Sequence, residues 1–231
     1  MSTTTKPIFD AILFDMDGTL IDSTAGVIGA WNLFKEKYPG LDVEQILSSA
    51  HGVRTVENLR IHCGIQDPAE QEREAERFER AIVTTSNENG RGGIKLLPGA
   101  KDAIDALTPG TWTVCTSATR AYASTALPSV GVTIPETIVF AEDVKQGKPA
   151  PDPYLLGAHR LSKPPTSCLV VEDAPAGVRS GKAAGCKTLG LLTTHGKSEM
   201  EAAGADWIVE DLASVKMTVV NGKVEVSIRV D

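Results

Sequence analysis

The sequence predicts an α/β fold, a doubly wound parallel sheet interrupted by an inserted all-helical domain. Three observations carry this. Ala11-Ile12-Leu13-Phe14 is a short apolar run bounded by the carboxylates of Asp10 and Asp15. Its length suits a strand buried on both faces of a parallel sheet. Periodicity alone also permits a buried helix, but Gly18 stops the run within a few residues and favours the strand. From Val43 to Asn87 the apolar spacing is helical throughout. After Pro98-Gly99, short apolar runs alternate with helical stretches, the pattern of βαβ units. The expected core is therefore residues 1–22 with 93–231, and the helical insertion is 23–92.

Composition bounds the function. A chain of 231 residues, 42% hydrophobic and 23% charged, accommodates one sizeable core and a small second domain. A net charge of −7 argues against a nucleic-acid surface. No apolar run is long enough to span a bilayer, and the N-terminal MSTTTKP has no apolar stretch of signal-peptide type. The expectation is a cytoplasmic monomer without membrane partners. Cys63, Cys115, Cys168 and Cys186 lie far apart with no CxxC spacing. Reduced thiols are expected, not disulfides or zinc.

In chain order, Gly18 to Asp22 reads as a tight turn or small hairpin, and Ser23 as a helix N-cap. Val27, Ile28, Trp31, Leu33 and Phe34 follow at mostly helical spacing, and Pro39-Gly40 ends that helix. Short helices are predicted over Leu41 to Ser49 and Val53 to His62. Asp67-Pro68 opens a third, as cap and first position. Its segment AEQEREAERFERAIVTT, rich in Glu and Arg, reads as a solvated face. The cluster Asn89-Gly90-Arg91-Gly92-Gly93 reads as a hinge or linker.

Helices are predicted over Ala100 to Leu107, Ala118 to Ala126, Asp152 to Leu161, Pro175 to Ala184 and Ser198 to Ala203. Strands are predicted over Thr111 to Thr116, Thr137 to Phe140, Cys168 to Val171, Lys187 to Leu192 and Asp206 to Val209. The tail, Lys216 to Val220 and Lys223 to Val230 about Asn221-Gly222, alternates apolar and polar residues as a hairpin does.

The residues that suggest chemistry end the predicted strands. Asp15 and Asp17, two residues apart beside a glycine, make a poor apolar core. Around a divalent cation they are reasonable, because the metal offsets their repulsion and bridges them to an anion. Thr116-Ser117 closes the run TWTVCT, where a hydroxyl and helix N-terminal amides suit a phosphate oxygen or simply a helix cap. Lys148 lies in Gly147-Lys148-Pro149-Ala150-Pro151-Asp152-Pro153-Tyr154, where the prolines pin the loop; Lys145 is the fallback. Glu172-Asp173 follows a buried strand and again points to a cation.

Asp15-Met16-Asp17-Gly18-Thr19 resembles the DxDGT signature of the haloacid dehalogenase superfamily. Thr116-Ser117, GKPxPxPY and VVEDAPAGVRSGKAAG resemble its second, third and fourth motifs in order. The resemblance runs from Ile8 to about Val209. HGxRT, TSxTR, DVKQGKPxPxPY and EDAPAGxxxGKAAGC together are similar to fungal glycerol-phosphate and 2-deoxyglucose-6-phosphate phosphatases.

The resemblance implies a core with an inserted helical cap of the so-called C1 type, and a phosphatase of small sugar or polyol phosphates. Asp15 would attack phosphorus, ionised at neutral pH and lowered further by a bound dication. Asp17 would serve as acid and then base. Ser117, favoured over Thr116, and Lys148 would hold phosphate oxygens. Mg²⁺ would sit on Asp15, the backbone carbonyl of Asp17, and Asp173, with Glu172 reaching it directly or through water.

In the cap, His51-Gly52-Val53-Arg54-Thr55 resembles the family's substrate-facing loop. Arg54 would fork onto substrate oxygens, or stand as a surface arginine on a cap helix. Glu88 and Asn89 are further cleft candidates. His159 and His195 read as structural. A phosphomutase of β-phosphoglucomutase type shares the same residues and remains open. A dehalogenase needs neither Asp17 nor a dication, and a non-catalytic binding protein needs none of the motifs.

Overall fold

The computed structural model describes residues 3–87 and 93–230. Of the expected hinge Asn89-Gly90-Arg91-Gly92-Gly93, all but Gly93 lies outside the described residues, as does Glu88 beside it. The chain opens with β1 (Thr3–Thr5) and β2 (Ile8–Phe9), then enters the core sheet at β3 (Ala11–Phe14). A tight turn leads to β4 (Ile21–Asp22), which pairs antiparallel with β5 (Lys95–Leu96). This short ladder joins the exit from the core to the return.

Between β4 and β5 lie four helices, α1 (Thr24–Lys37), α2 (Val43–Ala50), α3 (Thr55–His62) and α4 (Pro68–Ser86). Asp42 and Asp67 cap α2 and α4, accepting from the amides of Gln45 and Glu70. Ser23 precedes α1 as expected but makes no side-chain cap bond, because its hydroxyl is turned to Asp17. α1 and α4 approach closely: a Cβ on Gly26 or Gly29 would lie 2.4 Å from the Ile82 carbonyl or the Thr85 side chain. Trp31, Phe34 and Phe78 fill the seam, with Phe78 centroids 4.5 Å from Trp31 and 5.1 Å from Phe34. Pairs of this kind add about 0.5–1.5 kcal/mol beyond their buried area. The Glu/Arg-rich helix α4 is not wholly the solvated face its composition suggests, since Glu74 and Glu79 are buried. Tertiary contacts from α1, α3 and the core override the local pattern there.

The second half alternates as predicted: α5 (Ala100–Asp105), β6 (Trp112–Val114), α6 (Arg120–Ser129), α7 (Asp152–Arg160), β7 (Cys168–Glu172), α8 (Pro175–Ala183), β8 (Lys187–Leu191), α9 (Lys197–Ala203) and β9 (Trp207–Val209). All five core strands run parallel, in the order β6-β3-β7-β8-β9. Leu13 faces Thr113 on one side and Val170 on the other, and β3 and β7 are buried along their whole length. That explains why both read as continuous apolar runs.

Two elements differ from expectation. Thr137 to Phe140 forms only a single parallel bridge, Cys115 to Val139, because turns at Pro135 and at Ala141–Asp143 leave it too short for a ladder. Helix α6 starts at Arg120, since the Thr116 hydroxyl takes the Ala118 amide and Thr119 becomes the cap.

The predicted hairpin is present as β10 (Val215–Val220) and β11 (Lys223–Val230). Its turn places Asn221 and Gly222 at φ 51° and 73°, the left-handed pair that such two-residue turns require. β11 also pairs with β1 and β2, so both ends of the chain share an antiparallel sheet whose inner face is Met217, Val224, Val226 and Ile228.

Candidate active site

The chain crosses from β6 on one side of β3 to β7 on the other, so the sheet has its switch point at β3. Ligands in open α/β sheets bind there, beyond the carboxyl ends of the strands. Asp15 follows β3, Thr116 lies two residues beyond β6, Glu172 ends β7 and Asp173 follows it. All four are buried.

The turn after β3 is wound on one acceptor. The Met16 carbonyl takes the amides of Thr19, Leu20 and Ile21 at 3.3, 2.8 and 3.1 Å. Gly18, at φ 83°, lies under Asp173; a Cβ there would sit 2.2 Å from its Oδ2. Thr19 donates to Asp173 Oδ1 at 3.1 Å, and Thr194 donates to Oδ2. The motif's glycine and threonine therefore serve a carboxylate that is 154 residues away.

Lys148 is fully buried and donates to Asp15 Oδ1 and, at 2.7 Å, to Glu172 Oε1. Tyr154 also donates to Oε1 at 2.7 Å, while the amides of Asp173 and Ala174 donate to Oε2, each at 3.1 Å. These four bonds fill the roughly four acceptor positions of the Glu172 carboxylate. Gly177 makes room for it: a Cβ there would lie 1.6 Å from Oε1.

Asp15, Glu172 and Asp173 each offer an oxygen within 4.8 Å of the others. Three carboxylates facing one ammonium leave the cluster anionic. Burial raises the Asp15 carboxyl well above its usual range; Glu172 and Asp173 raise it further, and Lys148 opposes them. Burial and Glu172 likewise raise Asp173. Burial pulls Lys148 down, but Asp15 and Glu172 outweigh it and hold the ammonium above its ordinary value. The protein's own groups thus do not lower Asp15, and the lowering expected of it rests on the bound dication alone. An ionised Asp15 calls for added positive charge, and an all-oxygen, anionic donor set suits a hard divalent cation.

Asp17 stands apart from that cluster. Its Oδ1 accepts from Ser23 at 2.6 Å and Tyr122 at 2.9 Å. Burial raises its carboxyl, with both hydrogen bonds pulling the other way. A carboxyl raised toward neutrality is the property of a general acid.

A cavity of about 90 Å³ lies between the helical insertion and this edge. The core contributes Asp15, Asp17, Thr116, Ser117 and Tyr122; the helices contribute an apolar wall with Trp31, Phe78 and Ile82, and polar His51, Thr55, Asn58 and Glu79. Gly52, at φ 76°, rests on Ala174, and its carbonyl accepts from Ser117 at 2.7 Å. His51 meets His195 edge to face at 5.8 Å, and His195 in turn reaches the Asp173 carbonyl. Arg54 is not among the lining residues. Its guanidinium is held by Glu57, packs over Gly147 and reaches the Val144 carbonyl at 3.4 Å.

The structure therefore gathers Asp15, Asp17, Thr116, Ser117, Lys148, Glu172 and Asp173 at one edge, with His51 and Gly52 above. Thr19, Tyr122, Tyr154, Thr194 and Glu79 join these residues without having been expected there. Thr19 and Tyr154 lie inside the DMDGT and GKPAPDPY stretches, and Tyr122 lies in the helix that follows the Thr-Ser pair. Nothing local marks Thr194 or Glu79.

A sequence model of haloacid dehalogenase-like hydrolases matches residues 9–185. The chain is 35% identical to glycerol-1-phosphate phosphohydrolase 2 of Saccharomyces cerevisiae, over 94% of this chain and 89% of that one. It is 41% identical to hexitol phosphatase A of Escherichia coli, over 78% and 81% of the two chains. A solved hydrolase from Pseudomonas syringae superposes with a TM-score of 0.74 at 28% identity, covering 88% of this chain and 94% of that one. With three motif-bearing strand ends and the Lys148 loop converging on one crevice and a match across most of its length, the chain belongs to the haloacid dehalogenase-like hydrolase family.

Proposed function

We propose that the protein is a Mg²⁺-dependent phosphatase that hydrolyses small sugar or polyol phosphate monoesters through an aspartyl-phosphate on Asp15. The observation that carries this is the pairing of Asp15, against Lys148 and Asp173, with a separate raised carboxyl, Asp17, lining the same cavity. Similarity to phosphatases of glycerol and hexitol phosphates supports the substrate class. The insertion, residues 23–92, acts as the cap that covers the cavity, and the remainder as the catalytic core.

Asp15 attacks phosphorus and the P–O bond to the leaving group breaks. Asp17 gives its proton to the departing oxygen. The resulting Asp17 carboxylate then takes a proton from water, which attacks the acyl-phosphate and returns Asp15 and inorganic phosphate. Lys148 offsets the charge that gathers on the equatorial oxygens, held in place by Glu172. Asp15, Asp173 and the Asp17 backbone carbonyl would hold Mg²⁺. When bound it supplies positive charge to the phosphoryl oxygens. Glu172, with its acceptor positions filled by the protein, supports the metal site through its charge and by holding Lys148.

The hydroxyl arrangement bears on the choice between Thr116 and Ser117. Ser117 spends its proton on the Gly52 carbonyl, whereas Thr116 accepts from Ala118 and, among the described residues, donates to none. Thr116 is thus placed to donate to a phosphate oxygen while Ser117 docks the cap. Arg54 serves the same docking, through Gly147 and Val144 beside the Lys148 loop.

Phosphate release from a panel of polyol, hexose and aryl phosphates tests the function. Turnover of polyol or hexose phosphates with stoichiometric inorganic phosphate supports it, while an isomeric sugar phosphate as main product would favour the mutase. Thr116→Val should lose more turnover than Ser117→Ala; the reverse order would return the phosphate to Ser117.

A further inference from the structure

Glu79 sits where no motif pointed. It lies in the middle of α4 among charged neighbours, yet it is 3% exposed and lines the cavity together with Asp15 and Asp17. Its hydrogen bonds come from neutral groups: the Thr55 hydroxyl at 2.9 Å, the Thr119 amide at 3.2 Å and the Thr119 hydroxyl. Oε1 takes the first two and Oε2 the third, so one of the carboxylate's roughly four acceptor positions is left, on Oε2.

Burying a carboxylate without a cation costs several kcal/mol. Among the described residues lining the cavity, none is Lys or Arg, and the apolar neighbours Phe78 and Ile82 deepen the desolvation. Burial pushes the Glu79 carboxyl up to about 7, and Asp17 adds to this. A group held at such cost, in the wall that also carries Asp15 and Asp17, meets whatever enters that cavity.

We propose that Glu79 is the specificity-determining residue for the leaving group: it accepts hydrogen bonds from the hydroxyls of an uncharged polyol or sugar and repels leaving groups that carry a second negative charge. The inference rests on the phosphatase reading above. It assigns to the cap a selection by charge, which apolar walls cannot make.

The test compares three esters at pH 8 with Mg²⁺ present. Glycerol 1-phosphate offers neutral hydroxyls, 3-phosphoglycerate adds a carboxylate to the same carbon chain, and 4-nitrophenyl phosphate offers no hydroxyl. Glu79→Gln keeps the shape and removes the charge. The ratio of kcat/KM on glycerol 1-phosphate to that on 4-nitrophenyl phosphate should fall about tenfold or more. The ratio of 3-phosphoglycerate to glycerol 1-phosphate should rise by about the same factor. Unchanged ratios in that variant would overturn the proposal.

Thr119→Val removes a donor and so raises the Glu79 carboxyl further; compared with the wild type at pH 9, where the carboxylate in the cavity stays ionised, it should keep the wild-type ratios. If it shifts them as far as Glu79→Gln does, Glu79 acts only as a latch between cap and core, and the proposal fails. A wild-type protein that releases no phosphate from any of the three would overturn the phosphatase reading itself and this inference with it, an outcome distinct from turnover without selectivity.

Discussion

The Tyr122 hydroxyl donates to Oδ1 of Asp17 at 2.9 Å, the same oxygen that accepts from Ser23 at 2.6 Å. Burial raises the Tyr122 hydroxyl well above its ordinary value, so it remains a donor across the working pH range. Both bonds favour the ionised carboxyl and restrain the rise that burial imposes on Asp17. Tyr122→Phe should therefore raise the Asp17 pKa further. Activity that needs protonated Asp17 persists below that pKa and is lost as pH rises through it. The alkaline limb of kcat/KM on an alkyl phosphate should move up by about one pH unit in the variant. A limb that stays in place or moves down would show that Tyr122 does not tune this acid.

Asp15→Asn keeps the size of the side chain and removes the attacking charge. Turnover should drop at least about a thousandfold, roughly 4 kcal/mol of barrier. Retention of more than about a tenth of the wild-type rate, measured with wild-type contamination excluded, would assign the nucleophile elsewhere.

Asp15, Glu172 and Asp173 crowd three buried oxygens within 4.8 Å. A chelator should abolish activity and Mg²⁺ should restore it. Binding should also stabilise the fold, by about 2.7 kcal/mol at a hundredfold excess over Kd, visible as a rise in the urea midpoint. Asp173→Asn should shrink that rise. Restoration by Zn²⁺ but not by Mg²⁺ would contradict the oxygen-ligand assignment.

Glu79 also makes stability depend on pH. Its folded pKa of about 7 exceeds the value of 4.5 usual for glutamate. Between those values the folded protein holds a proton that the unfolded chain releases. The contribution is fully present below pH about 4.5 and is lost as pH rises through about 7. Its ceiling is on the order of 3 kcal/mol. Glu79→Gln removes the titration, so urea unfolding should show the variant gaining on the wild type between pH 5 and pH 8. A stability difference independent of pH would show that Glu79 stays ionised in the fold.

The parallel core, the helical insertion and the terminal hairpin were legible in the sequence, and Asp15, Asp17, Lys148 and Asp173 stood out in it as candidates. Each is written in local patterns: unbroken apolar runs for strands buried on two faces, 3.6-residue spacing for helices, Asn-Gly for the turn, and acids that no core strand would carry without a use. The tertiary structure decided what those residues touch. Ser23 reads as a cap but serves Asp17, because the turn around Met16 brings it back to the carboxyl. Arg54 reads equally as a substrate fork or as a surface arginine of a cap helix, and the packing holds it with Glu57 over Gly147. Glu79 reads as one acid of a solvated helix, yet α3 and α6 cover it and turn it into a wall of the cavity. The pairing of β1 and β2 with β11 was equally hidden, since Thr3–Thr5 and Ile8–Phe9 are too short to show a period. Local spacing fixes which way a side chain leaves its own element. The packing of elements far apart in the chain fixes what it meets, and therefore its burial, charge and use.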